Sequence, residues 1–71
     1  MERVWIVSEE LYARRESVPQ NRHAEVVVVE NLRQFREQLA EGERAVLLGA
    51  LPVITKARED FPRLLACHLL P

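Results

Sequence analysis

Short apolar runs and amphipathic stretches take turns along this chain. Val4-Trp5-Ile6-Val7 is the first run, Val26 to Val29 the second, and Ala45-Val46-Leu47-Leu48 the third. Each is too short for a helix and rich in stiff, β-branched or bulky side chains, so each predicts a strand. The strands are placed at Arg3–Ser8, Ala24–Val29 and Arg44–Leu48, with Gly49 ending the third. Four large apolar residues in a row predict that the first strand is central and covered on both faces.

The stretches between them predict helices and turns. Glu9 to Val18 predicts a short helix capped by Ser8 and ended by Pro19. Pro19 to Arg22 predicts a turn. Asn31 reads as an N-cap with Gln34 three residues on, as in a capping box. Leu32, Phe35 and Leu39 repeat at three and four, which makes one buried stripe, with Arg33, Arg36, Glu37 and Gln38 outside. Gly42 reads as the C-cap. Val53 to Glu59 predicts a further helix, with Pro52 near its first position. Asp60 reads as another N-cap, leading into a greasy terminal helix that carries Leu64 to Leu70.

Three strands joined by right-handed crossovers take the order 2-1-3. The predicted fold is therefore a small α/β domain: an open three-stranded parallel sheet with helices packed on it, a flavodoxin-like half. Both outer strands would be edges. At 71 residues the chain is one domain, residues 1–71. A chain this short buries roughly 60% of its extended surface, which favours association with a copy of itself or with a larger protein.

Composition narrows the chemistry. Ten basic and eleven acidic residues are interspersed. That balance gives no electrostatic case for nucleic acid, beyond a local patch of Arg14, Arg15 and Arg22 near a turn. Cys67 is the single cysteine, so an internal disulfide is impossible, and the expected setting is the cytoplasm. No run approaches a membrane-spanning length, and no signal peptide is visible.

Three segments share a pattern with a known family: VWIVSEE (Val4–Glu10), HAEVVVVENLRQFREQL (His23–Leu39) and AVLLGALP (Ala45–Pro52). Together they resemble the first half of a response-regulator receiver domain. In that family the first strand ends in an acidic cluster. The third ends in a phosphate-accepting aspartate, with Leu-Pro shortly after. Here Ser8 and Glu9 stand at the acidic pair, with Glu10 beside them, and Gly49 stands at the acceptor. Glycine has no side chain to phosphorylate. The family's switch threonine or serine and its lysine have no matching positions. The resemblance thus implies a receiver-like scaffold used for binding, without phosphorelay.

In an open parallel sheet, ligands sit beyond the carboxyl ends of the strands. The residues expected there are Ser8, Glu9, Glu10, Glu30, Asn31 and Gly49. Their carboxylates offer hard oxygens to Mg²⁺. The plainer reading is of helix-start acids favoured by the helix dipole, with Gly49 as a turn residue. Neither a nucleophile–base pair nor a phosphate-loop motif is evident, and no cofactor is implied. Cys67 and His68 are adjacent, and on a helix would not face each other. An aromatic and arginine-bearing interface is expected from Tyr12, Arg15, Phe61, Arg63, Leu65 and Leu69.

The favoured expectation is a non-enzymatic protein acting through protein–protein contact, as a homodimer or regulatory subunit. The alternatives are a small Mg²⁺- or nucleotide-dependent enzyme or regulator at the strand ends, and a nucleic-acid-binding accessory protein.

Overall fold

The computed structural model describes residues 2–70. Its elements are β1 (Glu2–Val7), α1 (Glu9–Ala13), a 3₁₀ turn (Arg15–Ser17), β2 (Ala24–Val29), α2 (Leu32–Gln38), β3 (Val46–Gly49), α3 (Leu51–Asp60) and β4 (Ala66–Leu69). The sheet is parallel throughout, in the order β2-β1-β3-β4. The α/β class and the β2-β1-β3 portion are as the sequence predicts.

The fourth strand is the main correction. Leu64 to Leu70 is not a helix: Ala66–Leu69 is extended and pairs with β3, Leu47 opposite Cys67 and Gly49 opposite Leu69. β3 is therefore internal. The apolar tail is too short for a stable helix, whereas the open backbone of β3 offers it ladder partners. Asp60 is not an N-cap but the last residue of α3, where Arg36 and Lys56 pair with it at 3.3 and 3.7 Å.

Smaller differences have local causes. α1 stops at Ala13, because only Leu11 and Tyr12 give it an apolar side, and Val18 is extended as a residue before proline must be. α2 ends at Gln38, with Leu39 already extended. Gly42 is not its cap but the pivot of the turn that follows, at φ 77°. α3 starts two residues earlier than predicted, with proline in its first turn. The Asn31 cap forms as expected: Gln34 N–H donates to Asn31 Oδ1 at 3.0 Å. The return bond, however, runs from Glu30 N–H to Gln34 Oε1, one residue before the usual partner.

Residues side by side across the ladder share a face. Trp5, Val7, Val27, Val29, Leu47 and Cys67 share one, and α2 and α3 roof it. Trp5, Val29, Phe35, Ala45, Leu47 and Ala57 have no exposure at all. Phe35 stands edge-on to both Trp5 and Phe61, with centroids 5.0 and 4.9 Å apart. Such contacts add about 0.5–1.5 kcal/mol beyond the area they bury.

Candidate functional site

Three regions bear on function: the cleft at the strand ends, the second face of the sheet, and its two edges.

The cleft lies where the crossovers leave β1 in opposite directions. It has a volume of about 590 Å³ and is lined by Ser8, Glu9, Glu30 and Asn31, by the first turns of α2 and α3, and by Leu70. The structure thus brings four of the six strand-end candidates to one cleft. Three of them, Ser8, Glu30 and Asn31, already spend polar atoms on the fold. Ser8 Oγ accepts from Leu11 N–H at 3.1 Å, and Asn31 Oδ1 from Gln34 N–H. Glu30 Oε1 accepts from Gln34 Nε2 at 3.3 Å. Lys56, also on the cleft, leans toward Asp60. Glu10 lies outside, in an exposed pair with Arg14 at 2.8 Å. Gly49 is buried beneath the cleft, where an added Cβ would stand 3.1 Å from Val53 Cγ1. Its small size lets α3 approach β3. Among the described residues, no group of three or more His, Cys, Asp or Glu side chains is placed to hold a metal ion.

The second face carries Val4 and Ile6 of β1, Ala24, Val26 and Val28 of β2, Val46 and Leu48 of β3, and Ala66 and His68 of β4. All but His68 are apolar and only partly exposed, His68 is exposed, and none packs against the core. The expectation of a first strand covered on both faces is therefore corrected. Right-handed crossovers put α2 and α3 together on the first face and leave only α1 for the second. α1 has five residues, a length of about 7 Å, against a sheet about 14 Å wide between its outer strands. It buries none of its own residues.

The edges differ. At β2, the Gln20 side chain takes the place of a further strand: its Nε2 donates to the Val26 carbonyl at 2.8 Å, and its Oε1 accepts from Val26 N–H at 3.1 Å. Asn21 adds an antiparallel bridge to Ala24. Gln20 escaped the sequence reading, where it was one member of a turn; a carboxamide just before a valine strand was the available signal. At β4 no such cover exists among the described residues.

The interface set is not gathered into one patch. Tyr12 and Arg15 stack on each other, 4.4 Å from guanidinium to ring, beside β2. Phe61 is half-buried between Phe35 and Arg36. Arg63 is exposed in the turn after α3. Leu65 and Leu69 are 44% and 61% exposed at the opposite edge, β4.

At the other end of the sheet, Arg3 lies 4.6 Å over the Trp5 ring and grips Glu43 through two hydrogen bonds, Nε to Oε2 at 2.8 Å and Nη2 to Oε1. Glu43 also accepts from Ala40 N–H at 3.0 Å. The Arg3 bond, chiefly, holds the Glu43 carboxyl below the ordinary carboxylate range. Trp5 Nε1 is buried without a hydrogen-bond partner among the described residues. This cluster ties the connection after α2 to β1, a structural role.

No family model, curated protein or solved structure matches the chain. No helix among the described residues is long and apolar enough to cross a membrane.

Proposed function

We propose that this chain is a non-enzymatic interaction protein that buries the partly covered second face of its sheet against another polypeptide, as a homodimer or as a regulatory subunit in the cytoplasm. One observation carries the reading: a parallel sheet whose second face is apolar across β1, β2 and β3, ends in Ala66 and His68 at β4, and is roofed by a single five-residue helix. Parallel sheets are normally covered on both faces, because each face is an apolar surface in need of a partner layer. The engaged state of Ser8, Asn31 and Glu30 supports this over strand-end catalysis with Mg²⁺ or a nucleotide. The sheet order suits the receiver-like scaffold implied by the sequence, as an analogy of fold alone.

The test uses Leu48→Lys, in an internal strand on that face. The parent chain should bind an apolar fluorescent dye, or hide that face by associating at high concentration. The variant should stay folded and lose whichever behaviour the parent shows. A parent chain that does neither, or a variant that unfolds outright, sinks the reading.

A further inference from the structure

We infer that β4 is a self-pairing edge: two copies of this chain join β4 to β4 antiparallel about a two-fold axis, giving one continuous eight-stranded sheet. This contact lies at the rim of the sheet, apart from its partly covered second face.

The backbone of β4 is presented for pairing. Leu70 N–H donates to the Gly49 carbonyl at 3.0 Å. Backbone groups alternate in direction along a strand, so His68 and Ala66 also aim at β3. The N–H and C=O of Cys67 and Leu69 then aim away from the sheet, toward a rim that no other described residue covers. Natural edges are usually protected by charges, proline or a covering segment. Residues 64–70, Leu-Leu-Ala-Cys-His-Leu-Leu, hold no Asp, Glu, Lys or Arg. Along β4 itself a second copy meets no like charge; Arg58 of α3 lines the hollow beside it.

The side chains point to the same seam. Among the described residues, the exposed large apolar side chains are Leu51, Leu65 and Leu69, at 62%, 44% and 61%. Leu65 and Leu69 flank and end β4. Leu51 shares with Leu69 an apolar hollow of about 530 Å³ between α3 and β4. Two-fold pairing brings two such hollows together and gives the leucines each other to pack on.

The opposite edge selects the symmetry. A β4-to-β2 contact would repeat head to tail and grow a filament. Gln20 already holds the outward backbone groups of Val26, and Asn21 bridges Ala24. Among the described residues only the β4 edge is free to pair, so the assembly closes as a dimer. The register follows from the two outward residues. Pairing Cys67 with Leu69 of the other copy, twice, uses all four outward groups on each side. His68 then meets its own counterpart across the axis as a non-hydrogen-bonded pair, with Cα atoms about 4.5 Å apart. That separation lies within disulfide reach.

The full 71-residue chain should run as a concentration-dependent dimer by light scattering and sedimentation. Leu69→Pro removes an outward N–H at an exposed position without costing a bond to β3, and should yield a folded monomer. Leu69→Lys should do the same by charge. His68→Cys in a Cys67→Ala background should form a disulfide-linked dimer on mild oxidation, whereas Arg22→Cys beside the other edge should not. A parent chain that stays monomeric overturns the inference. So does a dimer that survives both Leu69 variants, or one that leaves His68→Cys uncrosslinked. Loss of the β4 dimer with dye binding retained would leave the second-face reading standing.

Discussion

The two faces of the sheet are built from the same strands and nearly the same residues, and they end in opposite states. Along β1, Trp5 and Val7 are 0% and 3% exposed, while Val4 and Ile6, their immediate neighbours, stay partly open. Valines 26 to 29 repeat the lesson: Val29 is sealed under the helices and Val28 is not. Hydrophobicity alone does not decide burial here. The handedness of the crossovers and the length of each helix do, since α2 and α3 land on one face and α1 is too short to close the other.

Substitutions that are equal in chemistry but opposite in face test this most sharply. The largest effect is expected at Phe35, which stands edge-on to both Trp5 and Phe61. Phe35→Ala should cost about 3–5 kcal/mol and leave so small a domain largely unfolded in a urea titration followed by circular dichroism. Next comes a matched pair. Val29→Thr buries a hydroxyl and should cost about 1–3 kcal/mol, whereas Val28→Thr should stay within about 0.5 kcal/mol in the uncomplexed chain. Equal costs at the two positions would mean that the second face is sealed like the first.

Gly49→Ala sharpens the comparison on the roofed side. Its Cβ would press on Val53 at 3.1 Å, so α3 must give by a few tenths of an ångström. A loss of about 1 kcal/mol is expected from thermal melts, with the strand-end cleft otherwise unchanged. An effect of similar size is a pH dependence at the rim of the roofed face. The Glu43 carboxyl is held below its ordinary range by Arg3, whose own pKa is raised by the same bond. The folded chain therefore binds this proton less readily than the unfolded chain. The stabilisation is full above the ordinary carboxylate range and fades as pH falls through the lowered value. Glu43→Gln should cost about 1 kcal/mol at neutral pH and flatten the acid limb of a stability–pH curve. An unchanged acid limb would remove Arg3–Glu43 from the list of contacts that hold the roofed face.

The strand-end candidates show how far residue types can mislead. Ser8, Glu30 and Asn31 do converge on one cleft, as strand-end logic predicts. Their hydrogen bonds, though, are spent on the first turns of α1 and α2, a use that the same residue types announce equally well. The interface set is scattered because Tyr12 and Leu69 belong to opposite edges of a sheet whose fourth strand the residue pattern does not announce.

What the sequence determined by itself is local. It placed β1, β2 and the Asn31-capped α2, where period, β-branching and capping chemistry act within a few residues of each other. It also dictated that β1 lies between β2 and β3, because crossover handedness leaves little choice. The tertiary structure alone decided that Ala66–Leu69 is a strand, that Gln20 closes one edge, and that one apolar face stays open. Each of these depends on a backbone or a helix far away in sequence: β3 must be in place before β4 has a ladder to join. A row of leucines carries no record of which distant partner will claim it.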